Sequence, residues 1–187
     1  LTTGDHNTGL GKAALGSLTT ASNNTAVGSG AAGSTTTGTN NTAVGRSALV
    51  DNTTGFENTA IGAQALKTIT TAAYNTGIGY QALALNTSGN KNAAFGHQAL
   101  YANTTGASNT AVGKGALVNN TTANNNTACG FEALKVNTTG AQNTALGTIA
   151  MDGTTTGTEN VALGYAALGD NSTGGYNVAV GSRTLVA

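Results

Sequence analysis

The sequence predicts an all-β fold, a parallel β-solenoid (β-roll) of eleven 17-residue coils running as one continuous array over residues 1–187. Three observations predict it: an asparagine that recurs without slippage, a glycine four residues after it, and two apolar columns at fixed offsets. The asparagine stands at positions 7, 24, 41, 58, 75, 92, 109, 126, 143, 160 and 177, and the step is 17 residues every time. A strict period without insertions makes each unit a copy stacked on the last in one register. The consensus coil reads N-T-A-V-G-x-x-A-L-x-x-N-T-T-G-x-x. No boundary or linker interrupts it.

The glycine column is Gly11, Gly28, Gly45, Gly62, Gly79, Gly96, Gly113, Gly130, Gly147, Gly164 and Gly181. An invariant glycine in every copy marks a corner, where the backbone needs a positive φ or a close approach. Just before it runs one apolar column: Leu10, Val27, Val44, Ile61, Ile78, Phe95, Val112, Cys129, Leu146, Leu163 and Val180. Five residues on runs a second: Leu15, Leu49, Leu66, Leu83, Leu100, Leu117, Leu134, Met151, Leu168 and Leu185, with Ala32 as the exception. Each coil therefore offers two short extended segments, each expected to bring one large apolar side chain to a shared core. A helical reading fails, because glycine and threonine are poor helix formers and no apolar stripe at helical spacing survives the Asn-Thr-Thr-Gly punctuation. Parallel strands stacked at ~4.8 Å make eleven coils roughly 50 Å long.

A single coil buries too little to fold alone, so stability comes from stacking. Alanine, or glycine at Gly9 and Gly77, fills a further column two residues after the leading asparagine. Strand alternation sets it on the face opposite the valine column. With valine inside, the alanines form a smooth outer strip, and self-association as a homotrimer or longer filament is expected along it.

Composition excludes several functions. Only 7% of residues are charged and the formal net charge is zero, so no basic patch exists for nucleic acid. No apolar run is long enough for a membrane helix, and insertion of this segment into a membrane is not expected. The chain begins at Leu1 rather than Met and stops partway through a repeat, which suggests missing ends and leaves targeting open.

Around Asn160-Val161-Ala162-Leu163-Gly164 and Asn177-Val178-Ala179-Val180-Gly181 the sequence resembles the head repeats of YadA-like trimeric autotransporter adhesins. Through Asn75-Thr76-Gly77-Ile78-Gly79-Tyr80-Gln81-Ala82-Leu83 it resembles the repeat arrays of phage tail fibres and environmental surface fibres. The resemblance spans the whole chain. It implies a parallel β-roll, usually trimeric, on a cell or virion surface. The 17-residue coil departs from the slightly shorter adhesin coil.

Chemistry is sparse. A catalytic site needs unlike groups converging once, whereas His6 and His97 fall at unrelated points of their coils and match no nucleophile. No enzyme activity, cofactor or metal site is expected. The seven acids share no dominant column, unlike the aspartate ladder of calcium-loaded solenoids. Cys129 and Phe95 read as core residues by their column. Tyr74, Tyr80, Tyr101, Tyr165 and Tyr176 read as surface residues, and Tyr80, His97, Phe131 and Tyr165 share one column that could contact a carbohydrate or receptor.

Asn52, Asn86, Asn103, Asn120, Asn137 and Asn171 each open Asn-Thr-Thr, Asn-Thr-Ser or Asn-Ser-Thr, so each is formally an N-glycosylation acceptor. The favoured reading is structural: asparagine serves the turn, and stacked amides bond along the fibre. Thr35-Thr36-Thr37 and Thr154-Thr155-Thr156 come nearest to the threonine arrays of ice-binding solenoids, but the glycine that follows points to a turn. The function expected is a non-enzymatic extracellular, cell-surface or virion fibre segment, a rigid adhesive shaft. A tail-fibre or carbohydrate-binding repeat region is the alternative, and ice binding ranks below it.

Overall fold

The structure, a computed structural model, describes residues 4–185. Its eleven strands have three residues each: β1 (Thr8–Leu10), β2 (Thr25–Val27), β3 (Thr42–Val44), β4 (Thr59–Ile61), β5 (Thr76–Ile78), β6 (Ala93–Phe95), β7 (Thr110–Val112), β8 (Thr127–Cys129), β9 (Thr144–Leu146), β10 (Val161–Leu163) and β11 (Val178–Val180). They form one parallel sheet in chain order. The register is the sequence period itself, with Thr42 opposite Thr59, Ala43 opposite Ala60 and Val44 opposite Ile61. Residues flanking alanine in each strand are mostly β-branched, which suits the pleated backbone.

The corner glycine ends every strand. At Gly79 φ is 134°, and an added Cβ would lie 2.5 Å from the Gly96 carbonyl oxygen and 2.6 Å from its carbon. That contact is with backbone of the next coil, which cannot step aside. The expectation of a glycine-only corner holds here for both reasons at once.

The second extended segment is not a strand. After the corner the chain makes successive turns: Ala48 N donates to Gly45 O at 3.3 Å, and Asn52 N donates to Leu49 O at 3.3 Å. Ser47 and Leu49 have φ of 55° and 54°, and the equivalent residues repeat this in the other coils. A positive φ at the third residue is what a type II turn requires. Held by a non-glycine residue, it costs on the order of 1 kcal/mol. Bonds to neighbouring coils offset the cost, since Ser47 N donates to Ser29 O at 2.9 Å and Leu49 N to Ala65 O at 3.0 Å.

The core is also not the one expected. The leucine column is inside: Leu49, Leu66, Leu83, Leu100, Leu117, Leu134 and Leu168 are buried, with Met151 among them. The valine column is outside. Val27, Val44, Ile78 and Cys129 are half-buried, and Ile61, Phe95, Val112, Leu146 and Leu163 are exposed. In their place the alanine column, Ala26 through Ala179, lies within the core. The smooth outer alanine strip therefore does not exist, and a trimer axis cannot run along it.

Space explains the reversal. Strand alternation forces the alanine and valine columns onto opposite faces, and the tightly turned coil has room for one methyl at the inner position. At Gly77 even a single added Cβ would lie 3.1 Å from Ala82 O and 3.2 Å from Leu66 Cγ. A valine there would overpack a filled interior. The inner layer is thus leucine, two alanines per coil and buried asparagine.

Candidate functional site

Two asparagine columns run through the interior. In the leading column each Asn Oδ1 accepts the backbone N–H of the next coil's asparagine, for example Asn92 N to Asn75 Oδ1 at 3.0 Å and Asn109 N to Asn92 Oδ1 at 2.9 Å. Its Nδ2 reaches across its own coil, as from Asn92 to Gly106 O at 2.8 Å. The column both links coils and closes each one. Sequence reasoning used these residues only to set the register. Their burial in an otherwise apolar interior was not foreseen, although an invariant amide in an invariant place was the available signal.

The second column contains the six formal glycosylation acceptors. Asn52, Asn86, Asn103, Asn120 and Asn137 are fully buried and Asn171 is half-buried. Their Nδ2 atoms, to which a glycan would attach, are engaged: Asn103 donates to Asn86 Oδ1 at 2.9 Å and to Gly106 O at 2.9 Å, and Asn120 donates to Asn103 Oδ1 at 2.8 Å. A sugar on any of the five buried amides would have to displace the core, so these positions are structural in this fold. The threonine after each of the five buried asparagines is structural too, with Thr104 Oγ1 donating to Thr121 O at 3.0 Å.

Thr35 and Thr154 are fully buried. Neither threonine triplet lies in a strand. Neither can present the outward Thr-x-Thr pair that matching an ice lattice needs.

Outside, chemistry gathers in the column that follows the corner glycine. It holds Lys12, Arg46, Tyr80, His97, Lys114, Phe131 and Tyr165 and no acid. All seven are exposed. Stacking at the coil rise brings neighbours together: the Tyr80 and His97 rings are 5.3 Å apart and tilted by 33°, and Lys114 Nζ lies 5.7 Å from the centre of the Phe131 ring. Arg183, one coil beyond Tyr165, sets its guanidinium 5.6 Å from that ring. Within the expected column, Tyr80, His97, Lys114 and Phe131 form an unbroken run of rings and cations on one edge, and Thr148 separates it from Tyr165. Its makeup suits a sugar face or an anionic group.

A second aromatic feature lies on another side. Phe56 and Tyr74 meet edge to face at 5.2 Å and border a shallow groove of about 440 Å³ with Asn90 and Lys91. The acids sit elsewhere. Glu132 pairs with Lys135 at 2.9 Å. Burial pushes the Asp152 carboxyl above the usual carboxylate range, and Asp170 adds to this, while a backbone hydrogen bond opposes it. The Tyr176 hydroxyl is raised by its hydrogen bond to Glu159. Cys129 is a free thiol on the outer strand face rather than in the core.

No protein-family model, curated protein or solved structure matches the chain.

Proposed function

We propose that the chain is a non-enzymatic structural segment of an extracellular fibre, a rigid β-solenoid shaft with an adhesive role. The observation that carries this reading is the leading asparagine ladder, unbroken from Asn7 to Asn177. A ladder of buried amides with no insertion favours stiffness and repetition over a single specialised site. A shaft on a virion, as in a tail fibre, is the same mechanical role in another setting.

The ridge of Tyr80, His97, Lys114 and Phe131 favours a second reading, in which the shaft itself holds a carbohydrate or receptor. One experiment separates the two. Beads coated with the chain are tested for retention on glycan arrays and on cells, alongside the double variant Tyr80→Ala with Phe131→Ala. A shaft that only spaces other parts apart gives no retention in either form. A binding shaft is retained, and the double variant loses at least tenfold. Disordered or globular particles under the electron microscope, instead of straight rods, would reject the shaft altogether.

A further inference from the structure

The reversed strand face leaves an exposed apolar surface that the fold itself does not use. The outward residues of β1 to β11 form two parallel columns, one mainly threonine and one of Leu, Val, Ile, Phe and Cys. Within the array, Ile61 and Val112 are 38% exposed, Phe95 39% and Leu146 46%. None of the 33 strand residues, eleven strands of three, is charged. At ~3.3 Å per residue and ~4.8 Å per strand, the face is roughly 50 Å long and about 10 Å wide, on the order of 500 Å². That is within the ~300–600 Å² of the largest apolar patch of an ordinary monomer, with the threonine column making up one side of it.

We infer that this face is a contact surface between copies of the chain, and that it pairs with the same face of a second copy. Area supports it: two such faces would bury on the order of 1,000 Å², about what a specific interface needs. Charge supports it too. A face without ions has nothing to steer an ionic partner, and a surface with one fixed spacing matches its own copy by construction. One self-complementary patch per chain gives a closed two-fold pair. Side-chain size argues against an ordered layer of water as the occupant, because Phe95, Cys129 and Leu146 break the evenness that a lattice would require.

The inference deepens the fibre reading but can fail separately from it, since a lone solenoid can still be a shaft. The first measurement is mass by light scattering across a range of concentrations. The expected value is twice the 18.1 kDa of one chain. The double variant Ile61→Lys with Val112→Lys, at two exposed positions of the face, should return the mass to one chain. Thr54→Lys, exposed on a different side, should leave the pair intact. If the lysine variants lose their β-sheet circular dichroism, Ile61→Thr with Val112→Thr replaces them. That pair keeps β-branching and should weaken association at least tenfold. A single-chain mass for the unmodified protein would overturn the inference, as would an assembly whose mass ignores substitutions on this face.

Discussion

The two asparagine columns look alike in sequence and behave differently in the structure. The leading column is complete, with ten successive links from coil to coil at 2.9–3.0 Å. The second is interrupted. Leu18, Thr35, Ile69 and Thr154 take its place in four coils, and two of these, Ile69 and Thr154, follow directly on an asparagine. At those breaks Asn52 Oδ1 and Asn137 Oδ1, which would accept from the next coil, have no hydrogen-bond partner, and neither has Thr154 Oγ1. The difference lies in what each column holds. The leading amide accepts a backbone N–H that has no other partner within reach, whereas the second bonds mainly to groups already satisfied elsewhere. Only the first is obligatory, because a buried backbone donor without an acceptor is costly.

Breaking the leading column should therefore hurt most. Asn92→Ala removes the acceptor of the Asn109 N–H and leaves that donor buried and alone. Its other former partners keep a bond, since Gly106 O still accepts from Asn103. The expected loss is about 3 kcal/mol, read from urea denaturation. Asn103→Ala in the second column deletes three side-chain bonds against four for Asn92, and it orphans no donor: Asn120 Nδ2 retains Ala123 O, and Asn86 Oδ1 retains Gly89 N. A loss of about 1.5 kcal/mol is expected. If the two variants cost the same, the distinction between the columns is wrong.

Mending a break should have the smallest effect. Ile69→Asn gives Asn52 Oδ1 its missing donor but removes a fully buried isoleucine. Gain and loss are each about 2 kcal/mol, so the variant should lie within about 1 kcal/mol of the parent. A loss above about 3 kcal/mol would mean that the apolar plug, and not the ladder, is what that coil needs.

Much of this was legible in the residues. Period, parallel stacking and the glycine corner all follow from columns that never slip. The direction of the strand did not. Alternation shows that Ala43 and Val44 face opposite ways but carries no label for the inside, and hydrophobicity alone pointed to valine. What decides is the volume left inside a coil with several tight turns, a three-dimensional quantity. The turns themselves were hidden for a related reason. Leu49 and Ser47 are not residues that announce a positive φ, and only the neighbouring coils hold them there. The run of Tyr80, His97, Lys114 and Phe131 was visible as a column, whereas Arg183, one column over, met the Tyr165 ring only once coils were stacked.

The 17-residue register has an evolutionary consequence. Strand pairing, corner and both amide columns all repeat after the same interval, so duplication of one whole coil lengthens the rod by a single rise and disturbs no contact elsewhere. An insertion of any other length has no place in the stack and has to loop out of its coil. Unequal recombination between near-identical repeats yields whole-coil steps of this kind. The reach of such a rod is thus a heritable quantity that changes in discrete increments, like notches on a ruler, without any new structural invention.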